Sequence, residues 1–240
     1  MTAESIDGRF TGWRHRFEAE ARSRYAMEDP AWERGSRMSA AVARSVQRFQ
    51  VGEAGDGANL IDKAEHAGDD DYSAAARLFV AEEQNHARLL EHLLCAADRP
   101  TVAGHWSDTV FVRLRRALGL RVELLVLLIA EVVALRYYRA LRDGTEDPLT
   151  TEVAGRILAD ERRHVPFHCD RLRQSLAGLP SPARAALLFL WRILLTGTAI
   201  VVAADHGKAL RALGVPRLRF VADVLAEAKN AAAALRHADC

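Results

Sequence analysis

Thiol chemistry is scarce in this chain. Cys95, Cys169 and Cys240 are its only cysteines, an odd number without Cys-x-x-Cys spacing, which argues against a disulfide scaffold, a thiolate zinc site and a rubredoxin-type iron centre. An excess of one charge is also missing. Lys and Arg number 33 against 32 Asp and Glu, a formal net charge of +1, so no global field recruits nucleic acid or an anionic membrane. Period-two alternation is almost absent, which removes sheet architectures. Residues 1–10 are polar and acidic, without the apolar stretch of a secretory signal, and a reducing cytoplasm is the expected location. One apolar run, 185–204, approaches the length that spans a bilayer, but it contains Arg192, Thr196, Gly197 and Thr198. An arginine near mid-segment costs about 2.5 kcal/mol or more on insertion, and Ser181-Pro182 reads as the start of a soluble helix. The expectation is a buried or oligomer-facing helix, and a homodimer, not a membrane span.

Half of the 240 residues are apolar, enough for a sizeable core, and they recur at spacings of three and four, the mark of an all-α chain. An amphipathic opening over about 11–27 ends at Asp29-Pro30. Bundle helices are expected over about 39–66, 72–97, 120–142 and 148–177. Punctuation comes from the loop Gly68-Asp69-Asp70-Asp71, from Arg99-Pro100, from Asp143-Gly144 and from Gly178 with Pro180. A longer connection, 101–119, is expected to hold a crossover helix over 107–118, and helices over 182–211 and 216–236 follow, separated by Gly214-Val215-Pro216. The division expected is an N-terminal helical arm (1–38), a four-helix bundle (39–178) and a C-terminal helical pair (181–236).

The chemistry lies in a motif written twice. Glu83 with His86 and Glu161 with His164 are Glu-x-x-His frames, and each follows a lone helical glutamate, Glu53 or Glu131, by thirty residues. Residues three apart on a helix project from one face, so each Glu and His pair can bind one ion, with the single glutamates bridging or capping. Burying four carboxylates without cations would cost several kcal/mol per charge. Two divalent cations neutralise them, and mixed carboxylate and imidazole ligands suit iron or manganese. Each frame is preceded by another acid, Glu82 or Asp160. Such an acid can accept the free ring N–H of the histidine on the opposite helix, Asp160 from His86 and Glu82 from His164.

Other residues allow two readings. Gly52, Gly55 and Gly57 crowd around Glu53, either for close helix approach or to leave room beside the metals. His168, seven residues past Glu161, is an extra ligand, a proton donor or a hydrogen-bonded core histidine. Tyr138, seven past Glu131, is a packing residue or a redox tyrosine. Pro166 is expected to disturb the helix just after His164. His92 is placed on the bundle rim, and His66, His105, His206 and His237 have no ligand spacing. Arg113, Arg115, Arg116 and Arg121 form a basic cluster, read as a solvated face before a nucleic-acid site.

Glu53, Glu83-x-x-His86, Glu131 and Glu161-x-x-His164 resemble the ferritin-like di-iron carboxylate superfamily over residues 39 to 178. The resemblance implies a ferritin-like four-helix bundle with a crossover connection, joined by the N-terminal helix and the two C-terminal helices. It further implies two iron ions, alternatively manganese or a mixed pair, held by Glu53, Glu83, His86, Glu131, Glu161 and His164, which would act catalytically through the metals. The activity implied is reduction of dioxygen or peroxide, drawing on an unknown electron donor, in an oxidase or oxygenase for a small, mainly apolar organic substrate. A ferroxidase, a tRNA-modifying hydroxylase and a non-enzymatic protein stabilised by metal are the alternatives.

Overall fold

A computed structural model describes residues 6–105 and 119–236, and every regular element among them is helical. The crossover helix expected over 107–118, with Arg113, Arg115 and Arg116, lies outside the described residues, as does His237.

In chain order the helices are α1 (Ile6–Ala26), α2 (Ala40–Glu53), α3 (Ala58–Glu65), α4 (Asp70–Ala96), α5 (Leu120–Gly144), α6 (Pro148–Ala177), α7 (Ser181–Asp205), α8 (Gly207–Ala212) and α9 (Arg217–Arg236). Local chemistry fixes several starts. Ser39 Oγ accepts from the Val42 amide at 3.3 Å, Asp69 from Tyr72 at 2.9 Å and Asp147 from Thr150 at 2.9 Å, caps that contribute about 1 kcal/mol each. Pro148 stands in the first turn of α6, where its missing N–H has no intrahelical acceptor to satisfy.

The helix expected over 39–66 is two helices. α2 stops at Glu53, and the chain turns through Gly57, which adopts φ +64° before α3 begins. A side chain at Gly57 would put its Cβ 2.4 Å from Val80 Cγ1, so the turn sits directly on α4 and only glycine fits. Gly52 and Gly55 face open space instead. The helix expected over 182–211 is likewise divided, at His206, into α7 and α8. Pro166, by contrast, does not break α6, which runs through it. Pro166 and Arg162, whose carbonyl loses its donor, are both exposed, so water can take the place of the missing hydrogen bond.

α1 is built into the core. Phe10 and Phe17 are each 1% exposed, and both meet Phe167 edge to face, at centroid separations of 6.3 and 5.1 Å. Trp13 Nε1 donates to Asp170 at 2.8 Å. α3 is tied to α5 through the buried Glu123, which accepts from Asn59 Nδ2 at 2.6 Å and pairs with Lys63 Nζ at 2.8 Å.

Candidate metal centre

Four helices bring the predicted ligands together. Glu53 comes from the last turn of α2, Glu83 and His86 from α4, Glu131 from α5, and Glu161 and His164 from α6. The i, i+3 spacing puts the glutamate and histidine of each frame on one face. Apolar residues surround them: Leu127 and Leu128 lie on the turn before Glu131, and Phe79 lies on the turn before Glu83.

The donor atoms fall into two groups, each with ligand atoms within 4.8 Å of one another. Glu53, Glu83, His86 and Glu161 form one, and Glu83, Glu131, Glu161 and His164 form the other. Glu83 and Glu161 therefore belong to both, whereas Glu53 and Glu131 each cap one end. His86 Nδ1 lies 3.4 Å from Glu83, 3.6 Å from Glu161 and 3.8 Å from Glu53. His164 Nδ1 lies 3.3 Å from Glu83 and from Glu131, and 3.6 Å from Glu161. Despite these short separations, Glu83 Oε1, Glu161 Oε2 and both Nδ1 atoms are buried without a hydrogen-bond partner. Buried polar atoms normally find partners. Lone pairs that converge on common points without bonding one another are what a cation would satisfy. This buried Glu and His cluster can hold a metal ion.

No protein-family model and no curated protein sequence matches this chain.

Support for the ligands comes from a second layer. His86 Nε2 donates to Asp160 Oδ2 at 3.1 Å and His164 Nε2 to Glu82 Oε2 at 2.9 Å. Each acid thus reaches the histidine of the opposite helix, and because an ionised carboxylate only accepts, the arrangement leaves both Nδ1 lone pairs facing the centre. Two arginines hold the acids. Arg24 of α1 reaches Glu82 Oε1 at 2.7 Å and Asp160 Oδ1 at 3.3 Å, and Arg163 pairs with Asp160 and lies 3.5 Å from Glu82. Sequence spacing gave no sign of Arg24, which sits in a helix remote from both frames. The charges balance in layers: two arginines offset Glu82 and Asp160, and the four inner carboxylates are left for two divalent cations to neutralise.

Electrostatics follow the same pattern. Burial, then the charges of Glu53 and Glu131, push the Glu83 carboxyl up to about 8. Burial and Glu131 push Glu161 well above the ordinary range. For Glu131 burial is outweighed by His164 and His168, which hold it well below that range. Burial opposes charge on both histidines, yet the carboxylates win. Asp160, Glu53 and Glu83 raise His86, and Glu131, Glu161 and Glu82 raise His164. Burial disfavours the Asp160 anion as well, but His86, Arg24 and Arg163 bring it down to about 2. Burial and mutual repulsion thus favour protonation of Glu83 and Glu161 where a cation would otherwise neutralise the carboxylates.

The two ends of the centre differ. Tyr138, one of the residues expected around the ligands, donates its hydroxyl to Glu53 Oε1 at 2.6 Å. Behind it Tyr137 stacks on Phe49 at 3.6 Å and bonds Ser45 Oγ at 2.9 Å, and Ser45 in turn meets His206 Nδ1 at 2.7 Å. At the other end His168 is fully buried, its Nε2 is 3.7 Å from Glu131 Oε1, and neither ring nitrogen has a hydrogen-bond partner. That disagrees with its reading as a hydrogen-bonded core histidine. Phe79 packs edge-on against both His164 and His168, at 4.7 Å from each. The remaining histidines are elsewhere: His92 stacks on Trp32 at 5.2 Å and His66 pairs with Asp62 at the surface. Arg121 donates to the Ser175 carbonyl at 2.5 Å.

Glu83 is the most open of the six, with 21% of its side chain exposed. Over the second layer lies a cleft of about 410 Å³, with Arg24, Met27, Asn85, Arg88, Asp160 and Arg163 in its walls.

Proposed function

We propose that this protein is a ferritin-like, carboxylate-bridged di-metal oxidoreductase, holding two iron ions, or manganese in one or both positions, and acting with dioxygen or peroxide on a small, mainly apolar organic substrate. The observation that carries the reading is the sharing of Glu83 and Glu161 between two buried donor groups, each completed by one imidazole and one capping glutamate. Glu53, Glu83, His86, Glu131, Glu161 and His164 would hold the metals. Two such ions, when bound, supply the electrons that reduce dioxygen or peroxide.

The chain's own residues set the conditions for that chemistry. Asp160 and Glu82 keep the Nε2 protons of His86 and His164, so both rings present an electron pair at Nδ1. Tyr138 orients Glu53. The aromatic wall of Phe17, Phe79 and Phe167 around His164 and His168 excludes water from that end.

Reconstitution under anoxia with ferrous iron should bind close to two ions per chain. Adding dioxygen should then give a transient optical absorption and oxidise both ions. Failure to bind near two metals, or binding without any reaction with dioxygen or peroxide, would exclude the proposal. Consumption of many irons per chain with growth of ferric mineral would assign the same ligands to iron storage.

A further inference from the structure

We propose that α7 is a self-association surface, and that two copies of this chain pair through it in antiparallel orientation about a two-fold axis between Ile193 and Gly197 on its exposed face. The inference is independent of the metal centre.

One stripe of α7 is spent on its own chain. Leu188, Trp191, Leu195, Ala199 and Ala203 are at most 7% exposed, and Trp191 Nε1 donates to the Leu125 carbonyl of α5 at 2.9 Å. This anchoring argues against a membrane span, although the helix has the required length and an 18-residue stretch with a mean hydropathy of 2.1. A spanning helix would have to abandon that stripe and its hydrogen bond.

The opposite face is apolar and, among the described residues, uncovered. Phe189, Leu190, Ile193, Leu194, Ile200 and Val201 are between 42% and 64% exposed, together on the order of 600 Å², at the upper limit of what a monomer leaves in water. A specific interface takes about 800 Å² from each partner, which Ala186, Gly197 and Ala204 on the same face bring within reach.

The order of residues identifies the occupant. Ala186, Leu190, Ile193, Gly197, Ile200 and Ala204 are all exposed and alternate in steps of four and three, the seam of a helix that packs on another helix. Their sizes are self-complementary when the second helix runs the other way. Ala186 then meets Ala204, Leu190 meets Ile200, and Ile193 meets Gly197, where a Cβ would have nothing within 4 Å. A two-fold axis demands that kind of reciprocal matching, residue i on j and j on i. No charged residue interrupts the seam, since Arg192 lies towards the flank, between the directions of Ala199 and Ala203.

The test is the mass of the full-length protein in solution, by sedimentation equilibrium at micromolar concentration. Twice the mass of one chain is expected. Ile193→Glu should give single chains with unchanged helix content, and Gly197→Leu should weaken the dimer at least tenfold. Ala185→Ser, exposed but off the seam, should leave it intact. In a background lacking Cys95 and Cys240, a mixture of Ile193→Cys and Gly197→Cys chains should cross-link between the two variants faster than either does with itself. Single chains at every concentration would overturn the proposal, as would cross-links favouring identical positions, or a monomer that binds phosphatidylcholine vesicles through this helix.

Discussion

Removing metal should destabilise the protein, and the loss should grow as pH rises. The metal-free centre keeps its charges tolerable by holding protons. Glu83, with its carboxyl raised from about 4.5 to about 8 by burial and by Glu53 and Glu131, keeps one that the unfolded chain releases. A raised acid contributes fully below its unfolded value and loses that contribution as pH climbs towards its folded value, so the window runs from about 4.5 to about 8. His86 and His164, raised by the same carboxylates, lose their stabilising charge in the same direction above their ordinary 6.5. Divalent cations displace these protons, and affinity therefore increases over that window. Free metal at about 100 times its dissociation constant stabilises by about 2.7 kcal/mol per site. For a chain of this size that is about 5–11 °C in Tm per site. Thermal melts of chelated and manganese-loaded protein, from about pH 5.5 to about pH 8.5, should show a Tm difference that widens with pH. A difference that is absent near pH 8, or that narrows as pH rises, would refute the argument.

Tyr138→Phe removes a hydroxyl that donates to the buried Glu53, and should cost about 1.5–3 kcal/mol in urea unfolding of the metal-free protein. Arg24→Met leaves Glu82 and Asp160 with Arg163 alone, and should lower metal affinity about 10- to 100-fold in a chelator competition. Gly57→Ala combines a positive φ with a Cβ 2.4 Å from Val80 Cγ1; a loss of about 2 kcal/mol or more is expected in chemical denaturation. Pro166→Ala restores a helical N–H on the exposed side of α6, and calorimetry should register a gain of about 2 kcal/mol.

The clustering of these Glu and His side chains could be read from the chain because a helix converts sequence spacing directly into direction. Two frames of the same spacing placed Glu83, His86, Glu161 and His164, and the acid before each frame indicated which histidine it would meet. What could not be read depended on one helix meeting another. Arg24 reaches Glu82 and Asp160 only because Phe10 and Phe17 dock α1 along α4 and against Phe167 of α6. Tyr138 touches Glu53 of the other hairpin, not Glu131 of its own helix. The break after Glu53 was hidden because the apolar pattern resumes in α3, so three glycines read as weak helix residues when one of them, Gly57, turns the chain. Pro166 produced the opposite error: the rule for an interior proline takes no account of solvent, and here the freed carbonyl belongs to an exposed residue.

The position of that break gives the six ligands unequal freedom. Glu83, His86, Glu131, Glu161 and His164 are held inside long helices that continue on both sides of them, α6 running on through Pro166. Glu53 is the final residue of α2 and is followed by an exposed turn. Its backbone has hydrogen-bonded helix on one side alone, and Tyr138 is the tether that fixes its carboxylate. Glu53 is accordingly the hinged jaw of an otherwise rigid vice. Any rearrangement of the cluster around a bound metal ion should be concentrated there, at the end of one helix, while the other three keep their places.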